Sequence, residues 1–287
     1  GIGATPNIMS DAATTAEVQN RSLHLLREDH GAVTTLTLNQ PAKMNALSGN
    51  MLDELLAVLG DIAADRAVRV VILAANGKVF STGHNLKDIR ANYTLDYQTA
   101  LFAKSSEVML SILRLPQPVI AKVHGMATAA GCQLVATCDI AIAGQSATFG
   151  TSGINNGLFC STPAVALSRN VSRKHAMEML LTGDFIGAKR AEDIGLISQV
   201  VPDGDLDTAT EEMADKLAAK SAFGLTLGKQ GFYRQLEMGV SDAYAFTGAE
   251  MARNVMDRDA AEGFDAFIEK RQPLWDQSAR DDPDTED

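Results

Sequence analysis

Two glycine-bearing loops hold the most readable chemistry of this sequence: Val79-Phe80-Ser81-Thr82-Gly83-His84-Asn85-Leu86 and Met126-Ala127-Thr128-Ala129-Ala130-Gly131-Cys132-Gln133-Leu134. Each precedes a helical pattern. The first N–H groups of a helix lack intrahelical acceptors, and the helix dipole favours negative charge beside them. Amides placed in this way can stabilise an oxyanion that develops during a reaction, and small neighbouring side chains let a ligand approach the backbone. The same glycines also fit a pair of tight, closely packed turns. Other chemistries find fewer residues. The chain has no Gly-x-x-x-x-Gly-Lys-Ser/Thr phosphate loop, no Gly-x-Gly-x-x-Gly signature, no His-Glu-x-x-His and no Gly-x-Ser-x-Gly elbow. Cys132, Cys138 and Cys160 form no Cys-x-x-Cys pair, and His24, His30, His124 and His175 lack ligand spacing, so no metal site is expected.

The elements that position these loops follow from periodicity. Alternation in Ser22–Leu26, a turn at Asp29-His30-Gly31 and alternation in Val33–Leu38 read as a β-hairpin. Ser48 caps a helix whose apolar face is Met51, Leu52, Leu55, Leu56, Val58 and Leu59. Val70–Ala75, Val119–Val123 and Ile140–Ala143 are apolar runs of strand length, and Tyr97–Leu115 is a helix stopped by Pro116 and Pro118. From Arg173 onward strand signals nearly vanish, and helical patterns fill Lys174–Leu181, Lys189–Ile194, Leu206–Ala219, Thr226–Met238, Ala243–Arg258 and Ala260–Lys270. The expected organisation is a leader (1–20), an α/β body (21–198), a helical C-terminal region (199–275) and an acidic tail (276–287) read as a solvated end.

The composition sets limits. The 287 residues are 46% hydrophobic and 21% charged, which suits one large folded body, and no apolar run reaches membrane-spanning length. The net charge of −11 disfavours nucleic-acid and anionic-membrane partners and leaves small-molecule chemistry as the expectation. Three scattered cysteines and no signal segment lead to a cytoplasmic expectation.

Taken in order, several motifs resemble the crotonase, or enoyl-CoA hydratase/isomerase, family. They are Asn39-Gln40-Pro41 through Asn45-Ala46-Leu47, Phe80-Ser81-Thr82-Gly83-His84-Asn85-Leu86, Pro118-Val119-Ile120-Ala121, Gly131-Cys132-Gln133-Leu134 and Cys138-Asp139-Ile140. The resemblance continues through Ala176-Met177-Glu178-Met179, Ala191-Glu192-Asp193-Ile194-Gly195-Leu196 and Glu262-Gly263-Phe264, and covers Leu23 to Trp275. It implies an α/β crotonase fold, a spiral of ββα units whose helical C-terminal region forms homotrimers or dimers of trimers. It implies a coenzyme A thioester as substrate and no prosthetic group.

Position by position, the resemblance places the thioester carbonyl between the backbone N–H groups of His84 and Ala130. Thr82, Asn85, Leu86, Lys87, Ala46, Gly131 and Asn156 are implied to line the substrate, and Lys43 and Lys270 to meet phosphates, although each lysine reads equally as a solvated surface charge. The family's two catalytic glutamates fall on Gln133 and Gly153. An amide can orient water but cannot take its proton near neutral pH, and glycine has no side chain. Gln133 is therefore expected to orient water or a polar acyl group. Asn155, Asn156, Cys160, Ser161 and Thr162 follow the missing second glutamate and are candidates to face the acyl chain, Cys160 reading as a structural cysteine rather than a nucleophile. An enoyl-CoA hydratase-like activity, an acyl-CoA decarboxylase or thioesterase, and a non-catalytic acyl-CoA binder all remain open on this reading.

Overall fold

The computed structural model describes residues 23–281; the expected leader 1–20 and the end of the acidic tail lie outside them. Its strands are β1 (Leu25–His30), β2 (Val33–Leu38), β3 (Val70–Ala75), β4 (Val119–Val123), β5 (Met126–Thr128), β6 (Ile140–Gly144), β7 (Thr148–Gly150), β8 (Ile186–Gly187) and β9 (Gln199–Val201). The hairpin runs later than its sequence pattern predicts. Asp29 and His30 pair with Thr34 and Val33, and Gly31, at φ +59°, makes the reversal. Arg27, Glu28 and Asp29 belong to an edge strand, where charged side chains are tolerated, and so resemble turn residues in the sequence.

The main sheet has the order β1-β2-β3-β4-β6-β9, antiparallel at the hairpin and parallel thereafter. Both of its faces are covered. Val71, Leu73, Val119, Ala121 and Val123 enter the large core, while Val70, Ile72, Ile120 and Ile142 enter a second one with Leu206 and Ala214. Burial on both sides is why Val70–Ala75 reads as an uninterrupted apolar run. A smaller sheet, β5-β7-β8, stands beside it. Its short strands, and β9, escaped the sequence reading because two or three residues cannot establish alternation.

Helix α1 (Gly49–Ala63) starts at Ser48, whose hydroxyl accepts from the Met51 amide, and buries Met51, Leu52, Leu55, Leu59 and Ile62. The body continues with α2 (Leu86–Ala91), α3 (Leu95–Arg114), α4 (Ala130–Thr137), α5 (Ser161–Ser168), α6 (Arg173–Thr182) and α7 (Ala188–Asp193). Next, α8 (Leu206–Ala218) covers the second core, followed by α9 (Ala222–Gln235), α10 (Val240–Val255) and α11 (Arg258–Glu269). Among the described residues no helix is long and apolar enough to cross a membrane.

A buried polar cluster fastens α9 to the body. Asp139 accepts from the Val119 amide at 2.7 Å and the Tyr233 hydroxyl at 2.6 Å, and pairs with Lys229 at 2.9 Å. Lys229 also donates to the carbonyls of Ile112 and Gln117 at 2.8 Å. Val240, Tyr244, Met251, Met256, Phe267 and Ile268 on and beside α10 and α11 stay exposed. The first residues of the acidic tail are tied down, unlike a solvated end. Arg280 pairs with Asp257 at 2.7 Å and Asp259 at 3.2 Å, and the Asp276 amide donates to Asp259.

Candidate functional site

The two glycine loops meet. Ser81 bridges Ala127 in parallel, and the Thr128 amide donates to the Ser81 carbonyl at 3.0 Å. The Ser81 hydroxyl donates to the Asn45 carbonyl at 2.8 Å and accepts from the Gly83 amide at 3.2 Å, while the Leu47 amide donates to the Gly83 carbonyl at 2.8 Å. Gly83 has φ +79°, and a Cβ on it would stand 2.7 Å from the Ala130 nitrogen. A Cβ on Gly131 would run into the Ser81 carbonyl. Both glycines are thus required by close backbone approach, which packs the two loops against each other.

The second loop reaches this geometry at a cost. Ala129 sits at φ +52°, ψ −124°, a region that glycine favours, with its amide donating to the Gly150 carbonyl at 3.0 Å. That conformation starts α4 at Ala130. Among the described residues, neither the His84 nor the Ala130 amide donates to a protein acceptor. Both residues line a cavity of about 320 Å³, mostly apolar, walled by Phe102, Leu158 and Phe159 and edged by Ser152, Ser161 and Thr162.

His84 is fixed within this wall. Its Nδ1 lies 3.3 Å from the Leu47 carbonyl, its ring meets Phe102 edge-on at 5.4 Å, and its Nε2 is buried with no partner. Burial lowers the imidazole pKa from its usual 6.5, opposed by the Leu47 carbonyl. The ring is therefore neutral at neutral pH, and the carbonyl neighbour assigns the proton to Nδ1.

The two glutamate positions differ from expectation. Gln133 is only 5% exposed, inside α4, and does not line the cavity, and its Oε1 is buried without a partner. Gly153 does line the cavity, in the 3-10 turn Ser152–Asn156, but a Cβ there would meet the Leu158 carbonyl at 2.6 Å and Cys160 Sγ at 3.0 Å. The turn has closed over the space a side chain would need. Burial pushes the Cys160 thiol up, with the Gly153 amide opposing, which fits a structural cysteine.

Of the other expected contacts, Thr82, Leu86 and Asn156 line the cavity with His84, Ala130 and Gly153. Asn85 does not: its side chain caps α2, accepting from the Lys87 and Asp88 amides. Ala46 is buried in the loop before α1, and Gly131 serves the close approach to Ser81. Lys43, Lys87 and Lys270 are exposed outside the cavity, and Asn155 packs at Gly183 instead. The sequence reading missed Ile89, Phe102, Ser152, Leu158 and Phe159. Phe102 lies on a helix whose apolar positions read simply as core, so no local signal marked it.

Two mostly parallel, mixed sheets, a helical C-terminal region and two loops packed at an apolar cavity define a protein of the crotonase fold. The enoyl-CoA hydratase/isomerase family matches residues 28–278, and the chain belongs to it. Enoyl-CoA hydratase domain-containing protein 3, mitochondrial, from Xenopus laevis is 45% identical over 262 residues, covering 91% of this chain and 89% of the relative. The human protein of that name is 46% identical over 243 residues, covering 85% and 80%. Among solved structures, an enoyl-CoA hydratase of Mycobacterium smegmatis superposes with a TM-score of 0.86 at 53% identity, covering 88% of this chain and 98% of that one. The human domain-containing protein 3 gives 0.85 at 44%, covering 88% and 100%. These relatives also correct the cytoplasmic expectation, since the vertebrate proteins are named mitochondrial. That expectation rested on the signal-segment reading and on scattered cysteines, which any reducing compartment accommodates.

Proposed function

We propose that this protein binds an acyl-CoA thioester, holds its carbonyl oxygen between the His84 and Ala130 amides, and acts on enoyl-CoA in fatty-acid or related acyl-CoA metabolism. The observation that carries this reading is that two cavity-lining residues, on loops packed against each other, carry backbone amides without protein acceptors. A thioester carbonyl gains negative charge as it becomes enolate-like. Fixed N–H donors in a water-poor pocket stabilise that state more than the ground state, which is the condition for catalysis. Thr82, Leu86 and Asn156 contact the acyl-pantetheine end, while Lys43, Lys87 and Lys270 are the cations available to the nucleotide phosphates.

Hydration by two carboxylates is not open to these side chains. Gln133 lies off the cavity, and Gly153 brings nothing into it. This favours, as a second reading, reactions that need the enolate but no activated water, such as decarboxylation of a malonyl-type thioester. The exposed apolar residues of α10 and α11 support assembly into a homotrimer or a dimer of trimers.

The test is calorimetric binding of short- and medium-chain acyl-CoA, with loss of conjugated enoyl-thioester absorbance followed alongside. Binding weakened at least tenfold when Gly83→Val displaces the two amides is the expected result. Wild-type protein that binds no acyl-CoA would sink the proposal.

A further inference from the structure

We infer that a second cavity, at the end of the main sheet away from the acyl site, binds a phosphate-bearing small molecule through Arg66, Arg69 and Lys220. The cavity measures about 360 Å³ and lies between the body and the C-terminal region. Arg66 and Arg69 reach it from the turn between α1 and β3, Gln117 from the turn before β4, and Lys220 from the link between α8 and α9. Arg69 immediately precedes β3 and Pro118 immediately precedes β4, whereas the two glycine loops follow those strands. Because β3 and β4 run parallel, the two cavities occupy opposite ends of the sheet. The inference is independent of the acyl-CoA reading.

The lining gathers cations that are short of partners. Among the described residues, the Arg69 and Lys220 side chains make no ion pair and no hydrogen bond, and Arg66 makes only a 3.4 Å bond to the Gln277 carbonyl. Arg280 also lines the cavity, but Asp257 and Asp259 take up its charge. Asp65 is the one carboxylate of the lining, and it stands 3.7 Å from Arg27. In a chain of net charge −11, this is a local surplus of positive charge. Burial and then the neighbouring Arg66 charge lower the pKa of Arg69, opposed by Asp259. An anion between the two guanidinium groups removes that repulsion, and a cleft of one sign concentrates such anions.

The walls are already fixed. Gln117 Nε2 donates to the carbonyls of Ile62, Asp65 and Val68, the Thr226 hydroxyl to the Pro116 carbonyl at 2.9 Å, and Gln230 Nε2 to the Arg114 carbonyl at 3.1 Å. A ligand therefore meets a preformed site of ordinary small-molecule size. The charges select its chemistry. Asp65 offsets one of the three free cations, and a phosphate monoester, at about −1.5 to −2 near pH 7, cancels the remainder. Its three terminal oxygens can take two guanidinium forks and an ammonium together, whereas a carboxylate offers two oxygens in one plane.

The test is calorimetric titration of the full chain with inorganic pyrophosphate at fixed ionic strength, with the thermal midpoint read alongside. Wild-type protein is expected to bind with sub-millimolar affinity and to gain thermal stability, because the ligand ties the body to the C-terminal region. Arg66→Gln with Lys220→Gln, two exposed positions, is expected to keep the midpoint of the free protein while affinity falls about tenfold or more, the usual loss for charge-assisted contacts. Arg173→Gln with Lys174→Gln removes the same charge from an exposed surface outside the cavity, and its affinity is expected to stay within about threefold of wild type. Saturating butyryl-CoA is expected to leave pyrophosphate binding unchanged. No binding by wild type, an equal loss in both double variants, or displacement by butyryl-CoA would overturn the inference. Tighter binding of citrate than of pyrophosphate would overturn the phosphate assignment.

Discussion

The half of the site that would stabilise an oxyanion and the half that would move protons are built in opposite ways. The amide half is over-determined: Gly83 and Gly131 are forced by backbone approach, Ser81 is fixed by hydrogen bonds, and Ala129 holds a conformation unusual for alanine. In the other half, one glutamate position holds a buried glutamine that does not line the cavity, and the other holds a glycine under a closed turn. Charge stabilisation and proton transfer are therefore separable. The first depends on backbone shape and tolerates little change; the second depends on a few side chains and can relocate.

The sharpest way to break this contrast is Gly131→Ala. The new methyl meets the Ser81 carbonyl, a backbone group with no room to retreat, and the expected loss is about 3 kcal/mol of stability together with acyl-CoA affinity. Urea unfolding and calorimetry would check both. Next in size is restoration of the glutamates. Gln133→Glu with Gly153→Glu would be the natural repair if the pocket had kept its shape, but the Leu158 carbonyl and Cys160 crowd position 153. The double variant is expected to lose about 2 kcal/mol and gain no hydratase activity in the enoyl-thioester assay. A large gain in activity would show that the turn opens easily.

Ala129→Gly should act in the other direction. Removing a Cβ from a backbone conformation that glycine favours relieves strain, offset by greater freedom in the unfolded chain, for a net gain of up to about 1 kcal/mol in the urea midpoint. The smallest effect concerns pH. The folded-state pKa of His84 lies below its unfolded value, so its contribution to stability is full above the unfolded pKa and is lost as pH falls toward the folded one. Comparing unfolding at pH 7 and pH 5 should show a smaller drop for His84→Gln than for wild type.

The two glycine loops were legible because their signature is local, glycines and small residues before a helix, while the assignment of the His84 and Ala130 amides came from the family resemblance. The strands Val70–Ala75 and Val119–Val123 were equally legible, since burial on both faces removes polar residues from the run. Gln133 was not. Its side-chain direction depends on how α4 turns against its neighbours, and all eight residues of that helix are buried, so no polar face reveals the rotation. The crowding at Gly153 was hidden for a related reason. The carbonyl that fills the space belongs to Leu158, five residues on, and its position follows from the turn and not from residue type.

Asp139 accepts at once from a strand amide and from two side chains of α9, with Lys229 also gripping the carbonyls at the end of α3 and beyond. A buried charge pair cannot be half undone without leaving the other ion stranded in a dry interior. The sheet and α9 are consequently expected to behave as one cooperative unit, the amides of β4 and α9 opening together in hydrogen exchange. Whatever docks on the outer helices is then expected to add its stabilisation to the main sheet as well.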